Sequence, residues 1–382
     1  MQRRLRIIAR SHTGWHDELF ECAPPTGIQQ RLGLLHAGAA NARERAALLI
    51  GMAWLPLILL STLGERTPNL TPAIICARYL IAAPLLILAE TMCARRLTTI
   101  ARHFAVGNFI VERDHKRFER ILRSTRTLLR LPIVEVVAWF SAYGCSVLLA
   151  SLGNRDFGTW SPATRWNALL SLPLLLVLIF GWLWRFLLWC RFLVLVARLD
   201  LRLVASHPDR AGGLGFVGVS LRAFSPVALA LAVVAAGQAT PVVSRLHALP
   251  PTYVHFSIVV MVTLVLVFAL PVVVFLPALT RVYRFAVMDY GELAVDVGRA
   301  FESKWVVRRS AKTRAAGLQL SEFSAMTDLY QVVSNVYRIR YVPATLVDLA
   351  ILVAAVSIAY LPLVPFGVPA RLVWSPLRDF LR

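Results

Sequence analysis

The chain has 382 residues, 58% of them hydrophobic, and a formal net charge of +20. A soluble domain is about 45–50% apolar. The excess here gathers into runs of membrane-spanning length, which points away from a soluble fold and from the short alternating segments of a β-barrel.

Residues 1–45 form a polar, arginine-rich arm with no apolar core of a cleavable signal peptide. Within it Trp15, Leu19 and Phe20 suit a short interfacial helix. Residues 46–94 hold two spans, 46–63 and 72–94. The basic connector 95–132 follows, and its second half is amphipathic. Phe118, Ile121, Leu122, Leu128 and Leu129 fall on one face, with Arg117, Arg120, Arg123, Arg126 and Arg130 on another. Two placements are open for this helix: flat on an anionic membrane surface, or packed on the rest of the protein.

Residues 133–199 hold the third and fourth spans. The apolar run 166–199 exceeds the about 20 residues of one crossing. Its far end, with Arg185, Arg191 and Arg198, is therefore expected to continue beyond the membrane as a helix. A glycine-rich loop occupies 200–223, and 224–280 holds spans five and six, with Pro271 and Pro277 kinking the latter. Residues 281–344 are polar but read as helical, because Met326, Leu329, Tyr330, Val333, Val336 and Tyr337 recur at helical spacing. Span seven is expected at 345–367. The tail 368–382, with Trp374 and Phe380 among arginines, suits an interfacial anchor. The fold class is all-α: a polytopic integral membrane protein of about seven transmembrane helices plus cytoplasmic amphipathic helices.

Lysine and arginine alternate along this order. The arm carries 7, the first loop 1, the connector 10, the third loop 2, the stretch from Arg185 to Arg222 6, the fifth loop 1, residues 281–344 10 and the tail 3. The positive-inside rule then sets the N-terminus and the glycine-rich loop in the cytoplasm and the C-terminus outside. It also accounts for the positive charge without nucleic acid.

The densest motif is His207-Pro208-Asp209-Arg210-Ala211-Gly212-Gly213-Leu214-Gly215. Gly213 to Gly218 matches G-x-G-x-x-G, but a dinucleotide fingerprint needs a preceding strand and an acid about 20 residues on. Here the next acid after Asp209 is Asp289. His207-Pro208-Asp209 is also the tripeptide of J-domains, which need a soluble helical domain around it. Two readings stand. One is a tight connector in which Asp209 caps nearby N–H groups. The other is a cytoplasmic gate or anion-binding nest built from His207, Asp209, Arg210, Gly212, Gly213 and Gly215.

Charges inside spans are the other candidates. Glu90, Glu135, Arg185 and Asp348 fall near the inner ends of their spans, where they pair, snorkel or line a mouth. Arg78 lies about 9 Å inside the outer end of span two, with no carboxylate at that depth, and Gln238 lies at a comparable depth on span five. No H-E-x-x-H, no Ser-His-Asp arrangement and no paired carboxylates on one helix face occur. The five cysteines have no CxxC spacing, so no catalytic residue, cofactor, disulfide framework or metal is expected.

Three stretches, Arg78–Glu90, His207–Phe216 and the segment from Thr327 to Pro343, together resemble an uncharacterised family of bacterial multi-pass inner-membrane proteins. The resemblance implies that membrane as the location and implies no activity. The leading functional expectation is a channel or transporter for a small ion, more readily an anion. Arg78 and Gln238 would line its outer part, with the inner charges and the glycine loop at its cytoplasmic mouth. The rival is a non-transporting scaffold or regulatory subunit that binds a partner or anionic lipid through basic cytoplasmic helices. Expected partners are the bilayer and anionic lipid at the inner face, with a homo-oligomer as a further option.

Overall fold

The computed structural model describes residues 41–63, 71–153, 160–239, 242, 251–303 and 320–363. The interfacial helix expected near Trp15 and the tail 368–382 lie outside them. Among the described residues the fold is all-α, with one isolated bridge, Ile110 to Leu201, in place of any strand.

Among the described residues six helices are long and apolar enough to cross a membrane: α1 (Ala42–Ser61), α2 (Pro72–Val106), α4 (Pro132–Leu152), α5 (Pro162–Ala197), α6 (Gly215–Gly237) and α7 (Thr252–Glu302). Three shorter helices join them: α3 (His115–Leu129), α8 (Leu320–Tyr337) and α9 (Leu346–Ile358). Proline opens α2, α4 and α5, where its missing N–H is one the first turn leaves unpaired anyway. Ser161 accepts a bond from Thr164 N at 3.2 Å and caps α5. Thr345 and Asp348 form a reciprocal capping box that starts α9.

Two boundaries differ from the sequence reading. α1 begins before Arg45, so that arginine belongs to the first span and not to the arm. The seventh expected span, 345–367, holds a helix of only 13 residues, Leu346–Ile358. That is about 20 Å of the about 30 Å hydrocarbon core.

α6 is the central helix, packed on α2, α7 and α9. Ala223, Ala228, Ala230, Ala232, Ala236 and Gly237 are buried along it, and small residues let helix backbones approach closely where apolar burial gives no net drive. Trp182, Phe186, Phe224 and Phe268 interlock at its middle. The outward faces of α4 and of the first half of α7 are apolar and bare, with Val137, Phe140, Leu148, Phe256, Val259 and Leu266 all exposed. This face suits lipid and would not suit water.

α7 is 51 residues long, far beyond one bilayer crossing. It tightens to a 3-10 helix over Leu270–Phe275, with Pro271 near that segment's start and Pro277 near the start of the helix that resumes at Leu276. The two expected kinks thus merge into one tightened segment whose prolines sit where a donor is dispensable. Beyond it α8 packs on α7, closing a small satellite core of Ala286, Val336 and Ile339.

α3 packs on α5. Phe118, Leu122 and Leu129 are buried, the Phe118 and Phe192 rings lie 6.4 Å apart, and Trp184 Nε1 donates to Leu128 O at 3.2 Å. The apolar face of the amphipathic helix is covered by protein, so of the two open placements the structure takes the second. Arg120 and Arg123 point outward.

Candidate functional site

The glycine-rich loop is built around one carboxylate. Asp209 Oδ1 accepts the N–H groups of Ala211 at 2.9 Å and Gly213 at 3.0 Å, and Oδ2 accepts that of Gly215 at 2.8 Å. His207 Nδ1 lies 2.8 Å from Oδ1. Burial pushes the Asp209 carboxyl up, but the N–H groups of Ala211, Gly215 and Gly213, with His207, pull harder and hold it below its ordinary value. The amides that would form an anion nest close on the loop's own anion. Gly213 has φ +93°, and a Cβ there would lie 2.6 Å from Phe109 Cε1. Gly212 has φ +64° and faces Leu203 and Leu279. Arg210 also takes positive φ, and its carbonyl accepts Arg340 N at 2.6 Å.

That last bond ties the loop to the segment before α9. A Cβ on Gly218 would fall 2.6 Å from Asp348 Oδ2 and 3.0 Å from Pro343 O, so the two chains touch at backbone distance. Two of the three stretches singled out in the sequence, the glycine loop and the segment ending at Pro343, thus form one structural unit. Phe109 completes it. Its carbonyl accepts Arg202 N at 2.7 Å, and its ring packs among Phe104, His103 and Phe216. Buried Asp114 accepts Asp200 N at 3.1 Å and Arg117 at 3.2 Å, fixing the connector to the end of α5.

The charges near this face pair with one another. Glu90 on α2 binds Arg45 on α1 at 2.8 Å and Arg185 on α5 at 3.1 Å. The Arg185 guanidinium also lies 5.0 Å from the ring centre of Trp182. Asp348 is fully buried. Its Oδ2 takes the Thr345 hydroxyl and N–H, and its Oδ1 forms an ion pair with Arg222 at 2.5 Å. Glu135 is buried in the first turn of α4, where the helix dipole favours an acid. Arg45 and Arg222, the cations that answer two of the three carboxylates, were not among the sequence candidates.

At the opposite end, Arg78 sits in a π-helical turn, Cys76–Ala82, beside the Tyr79 hydroxyl. Tyr79 donates to Asn167 Oδ1 at 2.6 Å. A second π turn, Ile50–Trp54 of α1, lies against it, and a third, Asn167–Ser171 of α5, packs on the second and reaches the first through the Tyr79–Asn167 bond. A π turn frees carbonyls from the helical ladder, and here side chains take them up. Ser171 donates to Ala53 O at 2.9 Å and Trp166 to Met52 O at 3.3 Å, while Ser146 donates to Ala168 O at 2.6 Å. Gln238 is exposed at the end of α6 and donates to Val234 O of its own helix at 3.3 Å. The sequence gives no sign of these π turns, and Tyr79 and Asn167 carry no spacing that could have singled them out.

No group of three or more His, Cys, Asp or Glu side chains among the described residues could hold a metal ion. Compared with protein-family models, with curated proteins and with solved structures, the chain matches none.

Proposed function

We propose that this chain is a non-transporting membrane scaffold or regulatory subunit, whose interior charges are fasteners and whose arginine-rich face engages an anionic partner. The observation that carries the reading is the clamp on Glu90. The carboxylate that would mark an ion's route through the inner half of the bundle is held by guanidinium groups from two other helices. Asp348 is paired with Arg222, and Asp209 is taken up by the backbone N–H groups of its own loop. Around the clamp the interior is apolar, with Leu86, Ile87, Ala89 and Cys93 buried along α2. A charge in such surroundings is costly unless partnered, and partnering it with rigid helices holds the bundle in one arrangement. On this reading Arg78, beside the Tyr79–Asn167 hydrogen bond, is likewise a packing element and not the lining of a pore. The location proposed is a bacterial inner membrane, with the arginine-rich face in the cytoplasm.

Cys93 tests this. It lies one helical turn from Glu90 and is 1% exposed. With the other cysteines replaced, Cys93 is expected to resist a small hydrophilic thiol reagent in intact membranes and to react after denaturation. Rapid modification in the folded protein would reveal water beside Glu90 and refute the closed interior.

A further inference from the structure

Between α3 and the far part of α5 lies a cleft of about 420 Å³ with Arg117, Arg120, Arg191 and Arg198 around it. Only Arg117 meets a carboxylate there, Asp114, which also holds Asp200 N. Glu119 faces Arg123, and Asp200 pairs with Arg113. Among the described residues no carboxylate pairs with Arg120, Arg191 or Arg198. Arg120 Nε reaches only Lys116 O, at 3.4 Å. Arg191 is anchored by a 2.8 Å bond to Ser124 Oγ, and its other terminal nitrogen is buried with no hydrogen-bond partner. A buried donor left unmade is costly, and Arg191 lines a cleft whose charge calls for an anion.

The cleft is also partly apolar, through Ile121 and Leu195, so its occupant has an apolar portion beside its anionic one. Its depth fits a lipid. Arg185 lies at the level of the Glu90 clamp, and Arg191 is six residues further along the same helix, about 9 Å. If the clamp marks the edge of the hydrocarbon, Arg191 stands among the headgroups, whose layer adds about 5–8 Å on each side of the core.

We propose that this cleft is a binding site for the phosphate group of an anionic phospholipid. The arginines hold the phosphate oxygens in charge-assisted hydrogen bonds, while Ile121 and Leu195 receive the glycerol and upper acyl carbons. The site deepens the scaffold reading by naming the chemistry its basic face takes, and it rests on that reading only for the side of the membrane.

The test uses the full chain in neutral detergent, with native mass spectrometry and titration of a short-chain phosphatidylglycerol. Short-chain phosphatidylcholine and inorganic phosphate are the comparison ligands. Phosphatidylglycerol should bind, and R191Q and R198Q should each weaken it about tenfold. R198Q alters a side chain that holds no other group among the described residues, so it keeps the test valid where R191Q disturbs folding. R123Q, on the same helix but paired with Glu119 outside the cleft, should change affinity by less than about twofold. Three results would overturn the site: equal binding of phosphatidylcholine, equal losses in R123Q and the cleft variants, or inorganic phosphate competing at the lipid's own concentration. Loss of lipid binding with Cys93 still protected removes the site and leaves the scaffold; reactive Cys93 with lipid still bound does the reverse.

Discussion

Replacing Asp209 with alanine tests how the glycine-rich loop is held. Its carboxylate accepts three backbone N–H groups at 2.8–3.0 Å, and Ala211 and Gly213 are buried. A hydrogen bond to a charged group contributes about 1.5–3 kcal/mol, and a buried donor stripped of its acceptor costs its full desolvation penalty. Counting the two buried donors, and leaving Gly215 to water, Asp209→Ala should cost about 3–5 kcal/mol. Asp209→Asn keeps one acceptor but turns an NH₂ toward the Gly215 donor, so it should cost less, about 1–3 kcal/mol. Thermal unfolding in detergent, followed through the emission of the 10 tryptophans, reads both. The carboxyl's folded value is lowered, so its stabilisation is present above the unfolded value and is lost as pH falls through the folded one. The parent should therefore lose stability below about pH 4 more steeply than Asp209→Asn. An Asp209→Ala variant that unfolds at the parent's midpoint, or an unchanged acid slope in Asp209→Asn, would refute the carboxylate as the loop's organiser.

Three further outcomes are expected. Glu90→Ala leaves two arginines facing each other across three helices and should destabilise the protein by about 3–5 kcal/mol; combined with Arg185→Ala the loss should be smaller than the sum, measured by the same unfolding assay. Gly213→Ala, with its positive φ and a ring at 2.6 Å, should cost more than about 1–3 kcal/mol of backbone strain alone, whereas Gly144→Ala, with open space around it, should be neutral or gain up to about 1 kcal/mol. Reporter fusions after residues 110 and 310 should give a cytoplasmic signal and a fusion after residue 158 an external one; an external signal after residue 110 would invert the arrangement.

The spans were legible because hydropathy acts residue by residue and needs no partner. The prolines at 72, 132 and 162 punctuate them for the same local reason. Thr345-x-x-Asp348 is a readable capping box, and it explains why Asp348, singled out as an intramembrane charge, serves to start a helix. The amphipathic pattern of α3 announced a buried face but could not name α5 as its cover. What stayed hidden is contact between distant elements. Arg45 is 45 residues from Glu90 and Arg185 is 95 residues from it. Arg222 meets Asp348 only because Gly218 lets two backbones touch. The short α9 was hidden too, since hydropathy runs on past Ile358 while the helix does not.

The central claim is that the bundle is closed to ions, and flux through reconstituted protein tests it most directly. Proteoliposomes containing the full chain and an internal halide-quenched dye should show no anion entry above that of empty vesicles, with Arg78→Ala and Arg78→Glu indistinguishable from the parent. Anion entry by the parent that falls in Arg78→Ala and turns toward cations in Arg78→Glu would contradict the account and return Arg78 to the wall of a pore.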